Sequence, residues 1–169
     1  MAHDAGMEAN GRIVVGVDGS GPSLEALRWA LDEAPRRACR VEAVHAWRYP
    51  AVAYVPGIVP TPVFAEADLE AEGRAVLDRS VEMVLADRHA GTAVDRVLIH
   101  GGAVESLLAR ARGADVLVVG HRGRDGLGAL LLGSVAKGCV AHAPCPVVVV
   151  RPPAGAAKAT PVETGGRIR

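Results

Sequence analysis

Three short runs in this chain are built almost wholly from branched aliphatic residues: Ile13-Val-Val-Gly-Val17, Val116-Leu-Val-Val119 and Val147-Val-Val-Val150. A strand with one wet face alternates polar and apolar residues, whereas a strand covered on both faces reads as a continuous apolar run. These runs therefore demand helices on both sides of a sheet, and the segments between them supply the helices. Arg12 to Asp18 reads as the first strand, followed by the turn Gly19-Ser20-Gly21. Pro22 suits a first helical turn, with Ser20 or Gly21 as the cap before it. Leu24, Leu27, Ala30, Leu31 and Ala34 then recur at helical spacing, and Pro35 is expected to end the helix. Trp29 and Leu31 are assigned to packing.

Arg40 to Trp47 reads as a second strand, and Tyr49 to Ala65 as a proline-rich loop. A long amphipathic helix is expected from about Ala65 to His89, burying Leu69, Val76, Leu77, Val81, Val84 and Leu85. A third strand covers Ala93 to His100, and the next helix turns Val104, Leu107, Leu108 and Ala111 inward. Ala114 to Gly120 is the fourth strand, His121 to Leu132 a glycine-rich loop, Gly133 to His142 a helix, and Pro146 to Arg151 the fifth strand. Strict alternation of strand and helix implies an α/β, Rossmann-like, doubly wound domain with a parallel sheet and right-handed crossovers. In such sheets ligands bind beyond the carboxyl ends of the strands, where the strand order switches.

The chain's 169 residues suit one domain. That domain is expected over residues 12–151, between an N-terminal tail of residues 1–11 and a disordered C-terminal tail of residues 152–169. Nineteen basic residues balance nineteen acidic ones, which argues against a nucleic-acid partner. Three cysteines without a C-x-x-C pair exclude a disulfide scaffold and fit a reducing compartment. Met1 to Asn10 carries Asp4 and Glu8 and no apolar block, so no secretory leader is expected there. The uncharged Tyr49 to Ala65 stretch holds four prolines in 17 residues, which rules it out as a membrane helix. A cytoplasmic location is the expectation.

The chemistry concentrates after the fourth strand, in Gly120-His-Arg-Gly123, nine further residues, and Gly133-Ser134. Gly120 and Gly123 are expected to admit a ligand close to the backbone and to adopt positive φ. Gly133 and Ser134 open a helix whose unpaired N–H groups attract anions. Arg122 and Arg124 add positive charge, so the loop is suited to a polyphosphate. Asp18 lies at the same sheet edge, and two readings stay open for it: a Mg²⁺ ligand between phosphates, or a turn and cap residue. His45, His100 and His121 show no metal-ligand spacing and read as satisfied or exposed histidines, and Cys139 and Cys145 as buried apolar residues. No G-x-x-x-x-G-K-[S/T], no G-x-G-x-x-G after the first strand and no G-x-S-x-G is present, which sets aside P-loop NTPases, dinucleotide oxidoreductases and α/β-hydrolases.

Several segments resemble the universal stress proteins: Ile-Val-Val-Gly-Val-Asp-Gly-Ser at the start, Leu-Arg-Trp-Ala in the first helix, Ala-Asp-Val-Leu-Val-Val-Gly in the fourth strand, then Leu-Leu-Leu-Gly-Ser-Val and Ala-Pro-Cys-Pro-Val-Val-Val-Val. The likeness runs from about Gly11 to Arg151. It implies a five-stranded parallel sheet of order 3-2-1-4-5, and membership of the subgroup that carries the glycine motif and binds ATP. The resemblance carries over Gly16, Val17 and Asp18 from the first strand and Ala46 from the end of the second, where backbone meets adenine. Val119, Gly120, Arg122, Gly123, Gly133, Ser134 and Val135 match ribose and phosphate contacts. ATP with Mg²⁺ on Asp18 is thus the implied cofactor pair. A homodimer through Val147 to Val150 is the expected assembly, with unidentified protein partners and no membrane. His121 stands where a Ser is common, Ala136 removes one possible hydroxyl, and the Tyr49 to Ala65 insert is long. Two functions follow: an ATP-binding regulatory or stress-response protein without efficient turnover, or a slow ATPase or nucleotidyl-transfer enzyme of the same fold. A ligand-free scaffold is a third.

Overall fold

Five strands and four helices alternate among the described residues, which are 11–49, 65–86, 88, 93–123 and 132–152 of this computed structural model. They are β1 (Gly11–Gly16), α1 (Gly21–Arg37), β2 (Cys39–Trp47), α2 (Glu66–Leu85), β3 (Val94–His100), α3 (Ala103–Arg110), β4 (Val116–Gly120), α4 (Ser134–His142) and β5 (Val147–Val150). The sheet is parallel, in the order β3-β2-β1-β4-β5. Residues 1–10, 50–64, 87, 89–92, 124–131 and 153–169 lie outside the described residues, and with them most of both expected tails, the proline-rich segment and Arg124; Gly11, expected in the N-terminal tail, opens β1.

The runs of β1 and β4 do what their pattern requires, while Val147 to Val150 of β5 are only partly buried. Alternate residues point to opposite faces, and both faces are covered. On one side Ile13, Val15, Val41, Ala43 and Val118 pack with Leu24, Leu27 and Leu31 of α1 and Leu77 and Val81 of α2. On the other, Val14, Val44, Leu117 and Val119 pack with Leu107 of α3 and Cys139 of α4. Each fully buried Leu, Ile or Val contributes about 1.5–3 kcal/mol relative to exposure, so the α1 face carries the larger share. Trp29 is half-buried against that face, as its assignment to packing anticipated.

Ser20 caps α1: its side chain accepts from the Ser23 backbone N–H at 3.3 Å, and Gly19 takes φ 79 in the turn before it. The helix does not stop at Pro35. It continues to Arg37 and closes on Ala38, whose φ of 51 is left-handed and whose N–H returns to Ala34 and Pro35 carbonyls. A proline so close to the end removes one backbone bond, and the remaining turn is completed by that cap. The long helix ends at Leu85, short of His89, and β1 ends at Gly16, although the Val17 N–H still donates to the Val44 carbonyl at 2.9 Å.

A buried charge sits within the α3 face. Glu42 of β2 is 2% exposed and takes two hydrogen bonds from Arg110, at 2.6 and 2.5 Å, with Arg12 at 3.5 Å. The carboxylate holds the Arg110 guanidinium pKa above its ordinary value. Arg12 is spread further, onto the Arg110 and Arg112 carbonyls at 3.0 and 2.8 Å. This cluster ties α3 to the sheet. No helix among the described residues is long and apolar enough to cross a membrane.

Candidate functional site

The chain runs outward from β1 through β2 to β3, then returns to lay β4 and β5 on the other side of β1. Connections leaving β1 and β4 diverge, and the gap between them is the switch point at which such sheets bind ligands. A cleft of about 730 Å³ opens there. Gly16, Val17, Asp18, Ala46, Val119, Gly120, Arg122, Gly123, Gly133, Ser134 and Val135 all line it, so every residue carried over by the family resemblance meets in one place.

At the floor, Asp18 is built into the turn that follows β1. One carboxylate oxygen accepts from the Ser20 N–H at 3.0 Å and the Ser20 hydroxyl at 2.5 Å, and the Asp18 N–H donates to the Ser23 hydroxyl at 3.3 Å. The turn geometry weighed from the sequence is therefore present. The other carboxylate oxygen faces the glycine loop: a Cβ at position 123 would lie 2.6 Å from it. Gly123 thus lets the loop settle against the carboxylate.

The glycines act differently from their sequence reading. Gly120 and Gly123 are not among the positive-φ residues, which are Gly19, Gly101, Gly113 and Ala38 among those described. A Cβ on Gly120 would lie 2.7 Å from the carbonyl carbon of Pro22 and 2.8 Å from its oxygen. Gly120 is required because the backbone of α1 crosses there. Gly133 takes φ −62 and caps α4 without a side-chain bond. Its N–H donates to the His121 carbonyl at 2.8 Å, joining the two ends of the loop, and its own carbonyl accepts from Lys137 at 2.9 Å. The first N–H groups of α4, on Ser134, Val135 and Ala136, have no intrahelical acceptor and border the cleft.

The opposite wall is formed by the end of β2 and the first half of α2. Leu69, Glu72, Gly73 and Val76 line it, with His45, Trp47 and Arg48, none of which the sequence reading assigned to the site. The signal for the helix residues was available: a crossover helix starts at the carboxyl end of the strand before it, so its first turns border the switch point. Gly73 lets α2 come close, since a Cβ there would lie 3.3 Å from Trp47 Cβ and 3.4 Å from His45 Cδ2. His45 is buried, and its Nδ1 lies 2.7 Å from the Val17 carbonyl oxygen, so Nδ1 carries the proton. His100 is exposed and stacks on Trp47 at 4.4 Å, with Tyr49 edge-on to both rings.

His121 departs from the satisfied-or-exposed reading. Its Nδ1 is buried without a hydrogen-bond partner among the described residues. Burial, then the charges of Arg151 and Arg122, lower the imidazole pKa below its ordinary 6.5. Cys139 is fully buried, and burial pushes its thiol up to about 11, as an apolar core cysteine requires. Among the described residues no cluster of three metal-ligating side chains occurs.

The sequence profile of the universal stress protein family matches residues 9–151. The chain belongs to this family. A universal stress protein of Mycobacterium tuberculosis (strain ATCC 25618 / H37Rv) is 35% identical over 139 residues, covering 82% of this chain and 45% of the relative. The chain therefore spans less than half the length of that curated relative. Among solved structures, a universal stress protein in complex with cAMP is 27% identical, with a TM-score of 0.59, covering 84% of this chain and 97% of that one. The universal stress protein of Archaeoglobus fulgidus in complex with dAMP has a TM-score of 0.60 at 24% identity, covering 85% and 99%. The fold and strand order of this family member are those its sequence led one to expect.

Proposed function

We propose that this universal stress protein binds ATP in the cleft between β1 and β4 and acts through nucleotide occupancy, as a regulatory protein of the stress response. The observation that carries the reading is the convergence of the Gly120–Gly123 turn, the uncapped start of α4 and the Asp18 turn on one cleft at the switch point. Orphan N–H groups with a helix dipole behind them suit phosphate oxygens. Arg122 supplies further positive charge on the same wall. The family member solved with cAMP supports an adenine nucleotide as the ligand class.

The carboxylate of Asp18 fits a magnesium ion that takes its other ligands from phosphate oxygens and water. Mg²⁺ is usually bound in this way, through one or two carboxylates. Asp18 would then hold the ion with the oxygen that faces Gly123, while Ser20 keeps the other oxygen in place. When bound, the ion offsets triphosphate charge. Binding without efficient turnover is favoured over a slow ATPase, because phosphoryl transfer needs a group to orient the nucleophile, and Asp18, the carboxylate at the glycine end, is committed to the metal.

The assembly belongs to the same proposal. β5 is an edge strand, and Val147 to Val150 are each only half-buried. Such an edge calls for cover, and an antiparallel copy of itself about a two-fold axis supplies it. A monomer mass in light scattering at micromolar concentration would overturn the dimer. We place the protein in the cytoplasm on the strength of its cysteines: Cys39, Cys139 and Cys145 are all free thiols.

The test of nucleotide binding is a melting curve of nucleotide-stripped protein. Mg-ATP at 100 times its dissociation constant stabilises a fold by about 2.7 kcal/mol, a rise of roughly 5–10 °C for a chain of this size. Gly123→Glu places a second carboxylate against Asp18 and should abolish the rise. An unchanged melting temperature for wild type in millimolar Mg-ATP would refute the reading and leave the scaffold.

A further inference from the structure

The wall facing the glycine loop carries a charge that the fold itself does not use. Leu69, Glu72, Gly73 and Val76 share one side of α2, at the spacing of neighbours on a helix face. Leu69 and Val76 are apolar and Gly73 is the point of contact with β2. Glu72 is the exception: an exposed carboxylate lining the cleft, with no hydrogen-bond or ion-pair partner among the described residues. The neighbouring acidic side chains of α2 that have a structural use are occupied on another side, where Asp78 and Glu82 meet Arg96.

Resting on the proposed nucleotide reading, we propose that Glu72 selects the base, accepting a hydrogen bond from its exocyclic amino group. The phosphates belong with the N–H groups of α4 and the Gly120–Gly123 turn, which places the base at the end bounded by Ala46 and α2. There Leu69 and Val76 offer apolar contact to a ring, and Glu72 meets its polar edge. An ionised carboxylate only accepts hydrogen bonds. It therefore favours a base that presents an amino group and repels one that presents a carbonyl oxygen at the same place. Adenine and hypoxanthine differ in this way with almost no change in shape: adenine carries an amino group where hypoxanthine carries an oxygen.

The consequence is discrimination between ATP and ITP. A site built around a buried hydrogen bond rejects the wrong partner by several orders of magnitude, but Glu72 is exposed to water, which reduces the effect to roughly tenfold. Equilibrium titration of nucleotide-stripped protein with Mg-ATP and Mg-ITP reads it directly. Wild type should bind ATP roughly tenfold more tightly. Glu72→Gln should bring the two affinities within about threefold, chiefly because ITP binds better, since a carboxamide N–H can donate to the hypoxanthine oxygen. Glu72→Ala should also close the gap, but by weakening ATP. Glu72 has no structural partner among the described residues, so both variants should melt with wild type, which separates selection from folding. An ATP-to-ITP ratio that is near one in wild type, or that survives both substitutions, overturns the role of Glu72 while leaving nucleotide binding intact. Failure of wild type to bind either nucleotide overturns both.

Discussion

Gly120→Ala isolates what the most constrained glycine of the cleft does. A methyl group there would lie 2.7 Å from the Pro22 carbonyl carbon, 2.8 Å from its oxygen and 2.9 Å from its Cβ. Ordinary carbon contact begins near 3.4 Å, so α1 and β4 would have to part by about 0.7 Å. Neither partner is a side-chain tip that can swing aside. Pro22 opens α1, and that helix is fixed by seven buried residues, among them Leu24, Leu27 and Leu31. The cost should sit at the upper end for an overpacked core, about 3 kcal/mol. For a chain of this size that lowers the melting temperature by roughly 6–12 °C. Circular dichroism melts and urea titrations measure it without any ligand. Gly113→Ala is the control: Gly113 has φ 71, and a methyl group added there would meet nothing within 4 Å, so only left-handed backbone strain of about 1 kcal/mol is expected. If Gly120→Ala costs no more than Gly113→Ala, the crossing of α1 over Gly120 does not constrain the fold and the argument fails.

Asp18→Asn keeps the oxygen that Ser20 uses and removes the charge that faces Gly123. ATP binding should weaken when Mg²⁺ is present and change little in its absence; equal loss under both conditions would make Asp18 a turn residue only. His121 gives a pH signature. Its folded pKa is depressed, first by burial and then by Arg151 and Arg122, so the unfolded chain takes up the proton first. The stability it contributes is complete above the ordinary 6.5 and is lost as the pH falls through the lower folded pKa, with a slope of at most about 1.4 kcal/mol per pH unit. His121→Gln should flatten that part of the profile in denaturant titrations between about pH 7 and pH 5; parallel profiles would refute it.

The strands and helices were legible because burial on both faces leaves an unmistakable residue pattern, and the cap at Ser20 because local chemistry decides it. The strand order came from family likeness, since no local pattern says which strand lies beside β1. In the cleft, Asp18, Gly120, Arg122, Gly123, Gly133 and Ser134 were legible through glycine and charge, whereas Gly16, Val17, Ala46, Val119 and Val135 came from the family likeness alone. The cleft residues of α2 were legible only from topology, because periodicity reads their apolar members as core: Leu77 is core, whereas Val76 and the half-exposed Leu69, one face with it in sequence, line the cleft. Periodicity identifies a buried face without saying what covers each turn of it. Gly120 lines the cleft and also meets α1, a related ambiguity. A glycine announces close approach, and sequence does not say whether a ligand or a helix is approaching. Glu42 had no local signal, because its partner Arg110 is 68 residues away.

The helix that offers its N–H groups to the cleft is also lightly anchored. α4 has nine residues and buries only Ala136 and Cys139, against seven buried residues in α1. Segments with little buried apolar surface detach from a native fold well before the whole unfolds, and a helix this short does not persist once detached. When α4 lifts, the row of donors at Ser134, Val135 and Ala136 dissolves with it. A ligand held by those donors therefore has to hold the helix too, and each molecule bound is drawn from the fraction of chains in which α4 is already wound. Lys137 and Val140, exposed on the outer side of the same helix, would be ordered or released in step with an event on its inner side, so that the state of the cleft is displayed on a surface the ligand never touches.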